Sequence, residues 1–166
     1  MVIIRKCHEN DQKAAQELIA HILKNEFPKE SQAFPIDDLS NINRSYGKLG
    51  EAFFVATENG IIIGTVAVKQ EDERTALLRR LYVEKSYRRK KIGGLLIERA
   101  IEFCREVGYE ELMFKTTSTM SQAIKLCESK GFVPRARLDI GPVQLLKFTL
   151  YLKSESVLLQ KKTVPS

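Results

Sequence analysis

The chain has little of several residue types on which other protein classes depend. Its 166 residues include no tryptophan, two histidines and three cysteines, and the cysteines are scattered with no CxxC pair. Such a set argues against a disulfide framework and a zinc site, and a reducing cytoplasm is the simplest setting. The sequence also has no apolar run of membrane-spanning length and no signal-peptide pattern at its N-terminus, so we expect no membrane partner.

Composition is that of an ordinary globular protein with an excess of basic residues. Hydrophobic residues make up 43% and charged residues 29%, which predicts one domain with a real core over residues 1–152. We expect residues 153–166 to be a loosely ordered tail. The net charge of +6 favours an anionic partner, whether nucleic acid, a membrane surface or a polyphosphate ligand. Composition does not choose among them.

The first half of the chain predicts a short strand, a helix and a three-stranded meander. Asn10 or Asp11 is suited to cap the first helix. Asn59-Gly60 is the favoured two-residue turn of a hairpin. The predicted strands are Val2–Arg5, Ala52–Thr57, Ile61–Lys69 and Thr75–Val83, and Asp37–Ile42 is predicted as a short second helix.

The second half changes to alternating strands and helices. Ile92 to Val107 carries apolar residues at helical spacing, and Gly108 is placed to end this helix. A strand at Glu111–Thr116 follows, so strand, helix and strand form a βαβ crossover whose strands run parallel. A second helix at Met120–Lys130 and strands at Phe132–Ala136 and Gln144–Leu152 complete the prediction.

The stretch from Leu77 to Gly94 carries the clearest functional signal. Four cations, Arg88 to Lys91, precede a helix N-terminus, where the helix dipole makes each like charge unfavourable by about 0.3–1 kcal/mol. Gly93 and Gly94 follow in the first turn, where the lack of a Cβ lets a ligand approach the free amides. A solvated surface run is the alternative, but the combination favours a diphosphate site.

Two segments of the sequence resemble the GNAT acyltransferase superfamily. RLYVEKSYRRKKIGGLLIERAIEFCREVGYEELMFKT is similar to its acetyl-CoA motif, and AIKLCESKGF to its A-x-x-L-Y-x-x-x-G-F segment. The family's phosphate-loop pattern, Arg/Gln-x-x-Gly-x-Gly/Ala, falls on Arg88, Lys91 and Gly93, with Lys91 in place of the first glycine. We expect the Lys91 amide to serve in a helical conformation.

The resemblance implies a fold and a cofactor site. The fold is α+β with three αβα layers, in which helices cover both faces of a mixed, largely antiparallel sheet of about seven strands. A bulge in the strand Thr75–Val83 separates it from the next parallel strand, and the pantetheine arm of acetyl-CoA lies in the gap. The implied acetyl-CoA-binding residues, with no metal, are Leu81, Tyr82, Val83, Arg88, Arg89, Lys90, Lys91, Ile92, Gly93 and Gly94.

The resemblance leaves the catalytic groups partly open. Cys127 stands where the family has a tyrosine that protonates the departing thiolate, so Cys127 is a candidate acid. A small buried core residue is the alternative, and the usual one for free cysteine. Leu77 stands where many relatives carry a glutamate base. The acidic residues nearby have the pattern of solvated turn residues, so no base is assigned. These residues are Glu71, Asp72, Glu73 and Glu84.

The implied function is transfer of an acetyl group from acetyl-CoA to a primary amine, on a small molecule or a protein. Phe27, Phe34 and Tyr46 are candidates for an acceptor pocket or for plain core packing. One alternative is a catalytically silent acyl-CoA-binding domain. Another is a nucleic-acid-binding protein using Arg79, Arg80 and Arg88 to Lys91, although no RNA-binding or helix-turn-helix motif accompanies them. Dimers are common among such proteins, so a homodimer is one expectation.

Overall fold

Seven strands, numbered in chain order, form one sheet. The computed structural model describes residues 1–28, 35–88 and 90–152. The order across the sheet is first, second, third, fourth, fifth, seventh and sixth strand. The strands are β1 (Val2–Lys6), β2 (Ala52–Glu58), β3 (Ile61–Gln70), β4 (Thr75–Val83), β5 (Glu111–Thr117), β6 (Val133–Ile140) and β7 (Val143–Tyr151).

Helices cover both faces of this sheet, as predicted. Within the residues that the structure describes, the α-helices are α1 (Gln12–Glu26), α2 (Ile42–Ser45), α3 (Ile92–Val107) and α4 (Ser121–Ser129). One core lies between the sheet and α3, where Leu96 and Ile97 are fully buried. The other lies between the sheet and α1, where Ala15 and Ile19 are fully buried. Among the described residues, no helix has the length and apolar character needed to cross a membrane.

The strand pairing confirms the predicted crossover and hairpin. β4 and β5 run parallel, with α3 between them in the chain, and the other neighbouring pairs are antiparallel. Asn59 and Gly60 have φ angles of 52° and 79°. Two successive positive values are what the tight turn of a hairpin requires, and Asn and Gly adopt them most readily.

At the C-terminal end, the sixth strand differs from its prediction. We predicted a strand over Phe132–Ala136, whereas β6 begins one residue later and continues to Ile140. β6 is the edge strand and is exposed along all but its last residue, so it lacks the apolar signal by which its end could have been recognised. The predicted tail, residues 153–166, lies outside the described residues.

A bulge in β4, implied by the resemblance, is present. Arg79 pairs with Ala67 of β3 and Tyr82 pairs with Thr65, so that Arg80 and Leu81 together stand opposite one residue. Arg80 has a φ of 55°, a left-handed conformation that costs a non-glycine residue about 1–2 kcal/mol. The hydroxyl of Thr65 donates to the Arg80 carbonyl at 2.7 Å and helps to hold the bulge. Two consecutive arginines therefore project toward the α1 side.

Candidate cofactor and active site

β4 and β5 separate beyond their fourth pair of residues. The last pair is Leu78 with Phe114. Past this point β4 stays paired with β3 as far as Val83, and β5 stays paired with β7 as far as Thr117. The two strands therefore form a fork, and the inner edge of β4 from Leu81 to Val83 has no β5 partner. Such an edge can accept an extended ligand as an additional strand.

A cavity of about 520 Å³ lies at this fork. α1 contributes Ile22 and Glu26 to its wall, and α4 contributes Leu126 and the residues around Ser121. Of the ten predicted cofactor residues, eight line the cavity: Leu81, Tyr82, Val83, Arg88, Lys91, Ile92, Gly93 and Gly94. Lys90 instead places its amino group 5.2 Å from the centre of the Tyr87 ring. Arg89 lies outside the described residues.

One residue of the loop before α3 has a strained backbone. Lys91 occupies the position before the helix with a φ of 63°. The expectation of a helical Lys91 is therefore wrong: it is held in the left-handed conformation that glycine adopts without cost. Beyond it, the backbone N–H groups of the first helical turn have no partner within the helix, as at any helix N-terminus. They are therefore suited to an anion.

Gly93 also has a packing reason to be glycine. A Cβ at this position would lie 2.7 Å from Cδ2 of Leu126 on α4. The absence of a side chain therefore brings α3 and α4 together at the cavity wall, in addition to leaving the amides accessible. The residues at the fork fit a diphosphate-bearing ligand, because a glycine cradle, a helix N-terminus and two cationic side chains meet there.

Arg88 is fixed by three hydrogen bonds. Its Nε donates to the Val83 carbonyl at 2.9 Å, and its two terminal nitrogens donate to the carboxylate oxygens of Glu26 at 2.5 and 2.8 Å. About three quarters of both side chains is removed from solvent. The solvated-run interpretation therefore does not hold for Arg88. Glu26 was not identified as a site residue from the sequence, because a glutamate in the last turn of a helix belongs to no motif.

Cys127 is fully buried in the α3-side core. Burial raises the pKa of its thiol to about 12, and the neighbouring Glu128 charge adds to the effect. The residue is not part of the cavity wall. These observations favour the packing alternative over the candidate acid, which stays a prediction with its own test.

No base was assigned from the sequence, and two of the acidic residues near β4 lie in turns. Asp72 accepts from the backbone N–H groups of Arg74 and Thr75 and shapes the β3–β4 turn. Glu84 accepts from the Ser86 N–H in the turn that follows β4. Glu26 is the one carboxylate that lines the cavity within the described residues, and Arg88 occupies both of its oxygens.

A buried polar cluster ties the bulge to the segment before α2. The Arg80 guanidinium, with 2% of its side chain exposed, donates to both carboxylate oxygens of Asp38 and to the Pro35 carbonyl. The Tyr46 hydroxyl donates to the same carboxylate at 2.5 Å. Burial would raise the pKa of Asp38, but the hydrogen bonds from Arg80 and Tyr46 outweigh it and lower the pKa.

This cluster bears on two earlier interpretations. Tyr46 is buried against Phe53 and does not line the cavity, so core packing is favoured over an acceptor pocket for it, whereas Phe27 does line the cavity. Phe34 lies outside the described residues. Arg80 is inaccessible and Arg88 is paired, so two cations of the proposed nucleic-acid surface are already engaged within the protein.

Comparison with known proteins agrees with this geometry. The sequence profile of the Acetyltransferase (GNAT) family matches residues 16–132. The N-acetylaspartate synthetase of Danio rerio is 38% identical over 97 residues, which are 57% of this chain and 34% of that protein. The probable N-acetyltransferase camello of Xenopus tropicalis is 30% identical over 132 residues, 78% of this chain and 60% of that protein. The chain thus matches between a third and three fifths of these relatives.

Solved structures show the same fold. A GNAT-family acetyltransferase from Staphylococcus aureus Mu50 superposes with a TM-score of 0.79 at 25% identity, covering 92% of this chain and 100% of that one. The putative acetyltransferase yncA of Salmonella typhimurium, solved with its cofactor acetyl-CoA, gives a TM-score of 0.78 at 21% identity, covering 93% and 96%. The α+β architecture inferred from the sequence is therefore confirmed.

Proposed function

Since the chain belongs to the GNAT family of acetyltransferases, we propose that it transfers an acetyl group from acetyl-CoA to a primary amine by direct attack. The observation that carries the proposal is the fork between β4 and β5, which opens into the cavity of about 520 Å³ beside the start of α3. A strand edge without a partner and an anion-binding helix terminus meet in one place. Pantetheine and diphosphate need this combination.

Each part of the site has a role in binding. The backbone of Leu81 to Val83 would pair with the amides of the pantetheine arm, as an added strand does. The amides at the start of α3, with Arg88 and Lys91, would hold the diphosphate. When bound, acetyl-CoA supplies an activated acyl group with a thiolate as leaving group.

The acceptor amine must be neutral to attack. The pKa of a lysine-like amine is about 10.4 and that of an α-amine about 7.7–8.0, so proton removal is easier for an α-amine near neutral pH. Glu26 is engaged by Arg88, and we propose that water in the cavity takes the proton. Relatives carry the names N-acetylaspartate synthetase and N-alpha-acetyltransferase 30, which denote acetylation of the amine of aspartate and of an α-amine. We propose the same acceptor class here.

Thiol release from acetyl-CoA in the presence of a panel of amino acids, peptides and simple amines tests the function. We expect release that depends on the amine, with a matching acetylated product by mass spectrometry. Arg88→Gln should raise the KM for acetyl-CoA, whereas Lys13→Gln, on an exposed position of α1, should not. Lack of both acetyl-CoA binding and amine-dependent release would contradict the proposal.

Acyl-CoA binding without transfer is the second candidate function. It is favoured by the burial of Cys127 outside the cavity wall and by the engagement of Glu26, so that the cavity wall has no thiol and no unpaired carboxylate among the described residues. Tight acetyl-CoA binding with no turnover over the whole amine panel would establish it. Turnover with any amine of the panel would exclude it.

A further inference from the structure

Three basic residues occupy neighbouring positions of β4, β5 and β7 on one face of the sheet. Lys115 and Lys147 are direct cross-strand partners, so they project from the same face. Leu78 and Phe114, the last pair between β4 and β5, both pack in the α3-side core. The residues that follow them, Arg79 and Lys115, therefore face the α1 side. We call Arg79, Lys115 and Lys147 the cation row.

The cation row has no acidic partner within residues 1–28, 35–88 and 90–152. None of its three side chains takes part in an ion pair or hydrogen bond there. Asp38 is near enough for Arg79 to help lower its pKa, but both Asp38 oxygens are taken by Arg80. Like charges directly opposite each other destabilise a sheet. An anion between them would remove that cost.

The cation row lies at the apex of the fork. Arg79 and Lys115 are the first residues past the point where β4 and β5 stop pairing. Tyr82, on the same side of β4 as Arg79, lines the cavity three residues further on, about 10 Å along a strand. The long side chains of arginine and lysine can span much of that distance. An anionic group held by the cation row would therefore place the rest of a small molecule toward the cavity.

We propose that the cation row binds a carboxylate of the amine acceptor, so that the substrate class is an amine that also carries a carboxylate. The inference rests on the proposed acetyl transfer. Lys115 and Lys147 stand on paired strands whose backbones are about 4.8 Å apart, and Arg79 lies across the start of the fork. Guanidinium and ammonium groups in this arrangement can bind one carboxylate together or two carboxylates of one molecule. An amine of the same size without a carboxylate would gain no binding energy from these charges. The cation row would therefore favour acceptors that carry a carboxylate over those that do not.

Matched acceptors and matched variants test the proposal. L-aspartate is compared with its α-amide and with its diamide, which keep the amine and lose one or both carboxylates. We expect the wild-type protein to have the highest kcat/KM for L-aspartate. Lys115→Gln and Lys147→Gln should each raise the KM for L-aspartate about tenfold. They should leave the KM for the diamide and for acetyl-CoA unchanged. Lys13→Gln, which removes an exposed charge from α1, should change none of these.

A binding experiment separates this proposal from the proposed transfer itself. Succinate has two carboxylates and no amine, and its binding to the CoA-loaded protein is followed by the backbone amide shifts of Lys115 and Lys147. We expect succinate to bind the wild-type protein and to bind Lys115→Gln about tenfold more weakly. If succinate binds in this way but no amine is acetylated, the transferase function is wrong and the anion site stands. If succinate does not bind, or binds both proteins equally, the cation row is a solvated surface and the proposal is wrong.

Discussion

Arg88 and Glu26 form a bidentate ion pair between the phosphate loop and the last turn of α1, with nitrogen–oxygen distances of 2.5 and 2.8 Å. Both residues line the cavity at the fork. The pair places a carboxylate beside the residues that we propose to bind the diphosphate. Binding of a diphosphate would therefore require Arg88 to share its hydrogen-bond donors between Glu26 and the ligand, or to exchange one for the other.

Glu26→Gln should tighten coenzyme A binding. The substitution keeps the size of the side chain and removes a negative charge that competes for Arg88. Because the pair is about a quarter exposed, the gain should be moderate, about two- to fivefold in Kd by calorimetry. Glu17→Gln, at an exposed position of the same helix, serves as the control and should leave Kd unchanged. Weaker binding by Glu26→Gln would mean that Glu26 orients Arg88 for the ligand instead of competing with it.

Asp38→Asn should destabilise the protein at neutral pH and much less in acid. The substitution leaves the buried Arg80 guanidinium without its counter-charge, at a cost of about 3 kcal/mol in the free energy of unfolding. The pKa of Asp38 is lowered in the folded state, so its stabilising effect is present above its unfolded pKa of about 3.9 and is lost as pH falls through the folded pKa. Denaturant unfolding at pH 7 and at stepwise lower pH measures both.

The neighbouring residue provides the matched control for this experiment. Asp37 is exposed and takes part in no ion pair with the described residues, so Asp37→Asn should change stability little at either pH. A difference between the wild-type protein and Asp38→Asn that stays constant down to pH 2 would show that the carboxylate charge is not what stabilises the cluster.

Lys91→Gly should stabilise the fold, although it removes an ammonium group that we propose to contact the diphosphate and should therefore weaken coenzyme A binding. Glycine removes the left-handed strain at the φ of 63°, which is worth about 1–2 kcal/mol. Part of this gain is lost because glycine increases the conformational entropy of the unfolded chain. We expect a net gain of about 0.5–1 kcal/mol in the free energy of unfolding. Lys90→Gly is the control and should lower stability, because Lys90 has no positive φ to relieve. Equal effects of the two substitutions would argue against strain at Lys91.

Cys127→Ala distinguishes an acid from a packing residue. The alanine variant removes a fully buried sulfur and should lower the free energy of unfolding by about 1–2 kcal/mol in either case. If Cys127 only packs, as its burial favours, kcat stays at the wild-type value. A large fall in kcat at unchanged affinity for acetyl-CoA, with activity restored in Cys127→Tyr, would establish the acid.

Elements with strong local signals were predictable from the sequence. The bounds of β4 and of α3 agree with their predictions, because turn residues and glycine mark their ends and their apolar residues repeat at the period of one structure. The parallel pairing of β4 with β5 follows from the length of the connection between them, which permits a crossover helix and no tight turn.

The polar pairs of the site were not predictable in the same way. Arg88 and Glu26 are 62 residues apart, and Arg80 and Asp38 are 42 apart, so no spacing in the sequence brings them together. The conformation of Lys91 was mistaken for a related reason. Lysine has no intrinsic preference for positive φ, and only the surrounding structure holds it there.

The bulge at Arg80 changes which side of the sheet each later residue of β4 faces. Leu78 packs toward α3, Arg79 and Arg80 both turn toward α1, and Leu81 and Val83 return to the α3 side. Without the bulge, plain alternation through the same residues would place Leu81 and Val83 toward α1 and Tyr82 in the α3-side core. The bulge thus decides whether the fork has an apolar wall or a tyrosine on its cofactor side. A homologue of the same length without the bulge should have lost the site, whereas one that lacks both the bulge and its extra residue should keep the same faces.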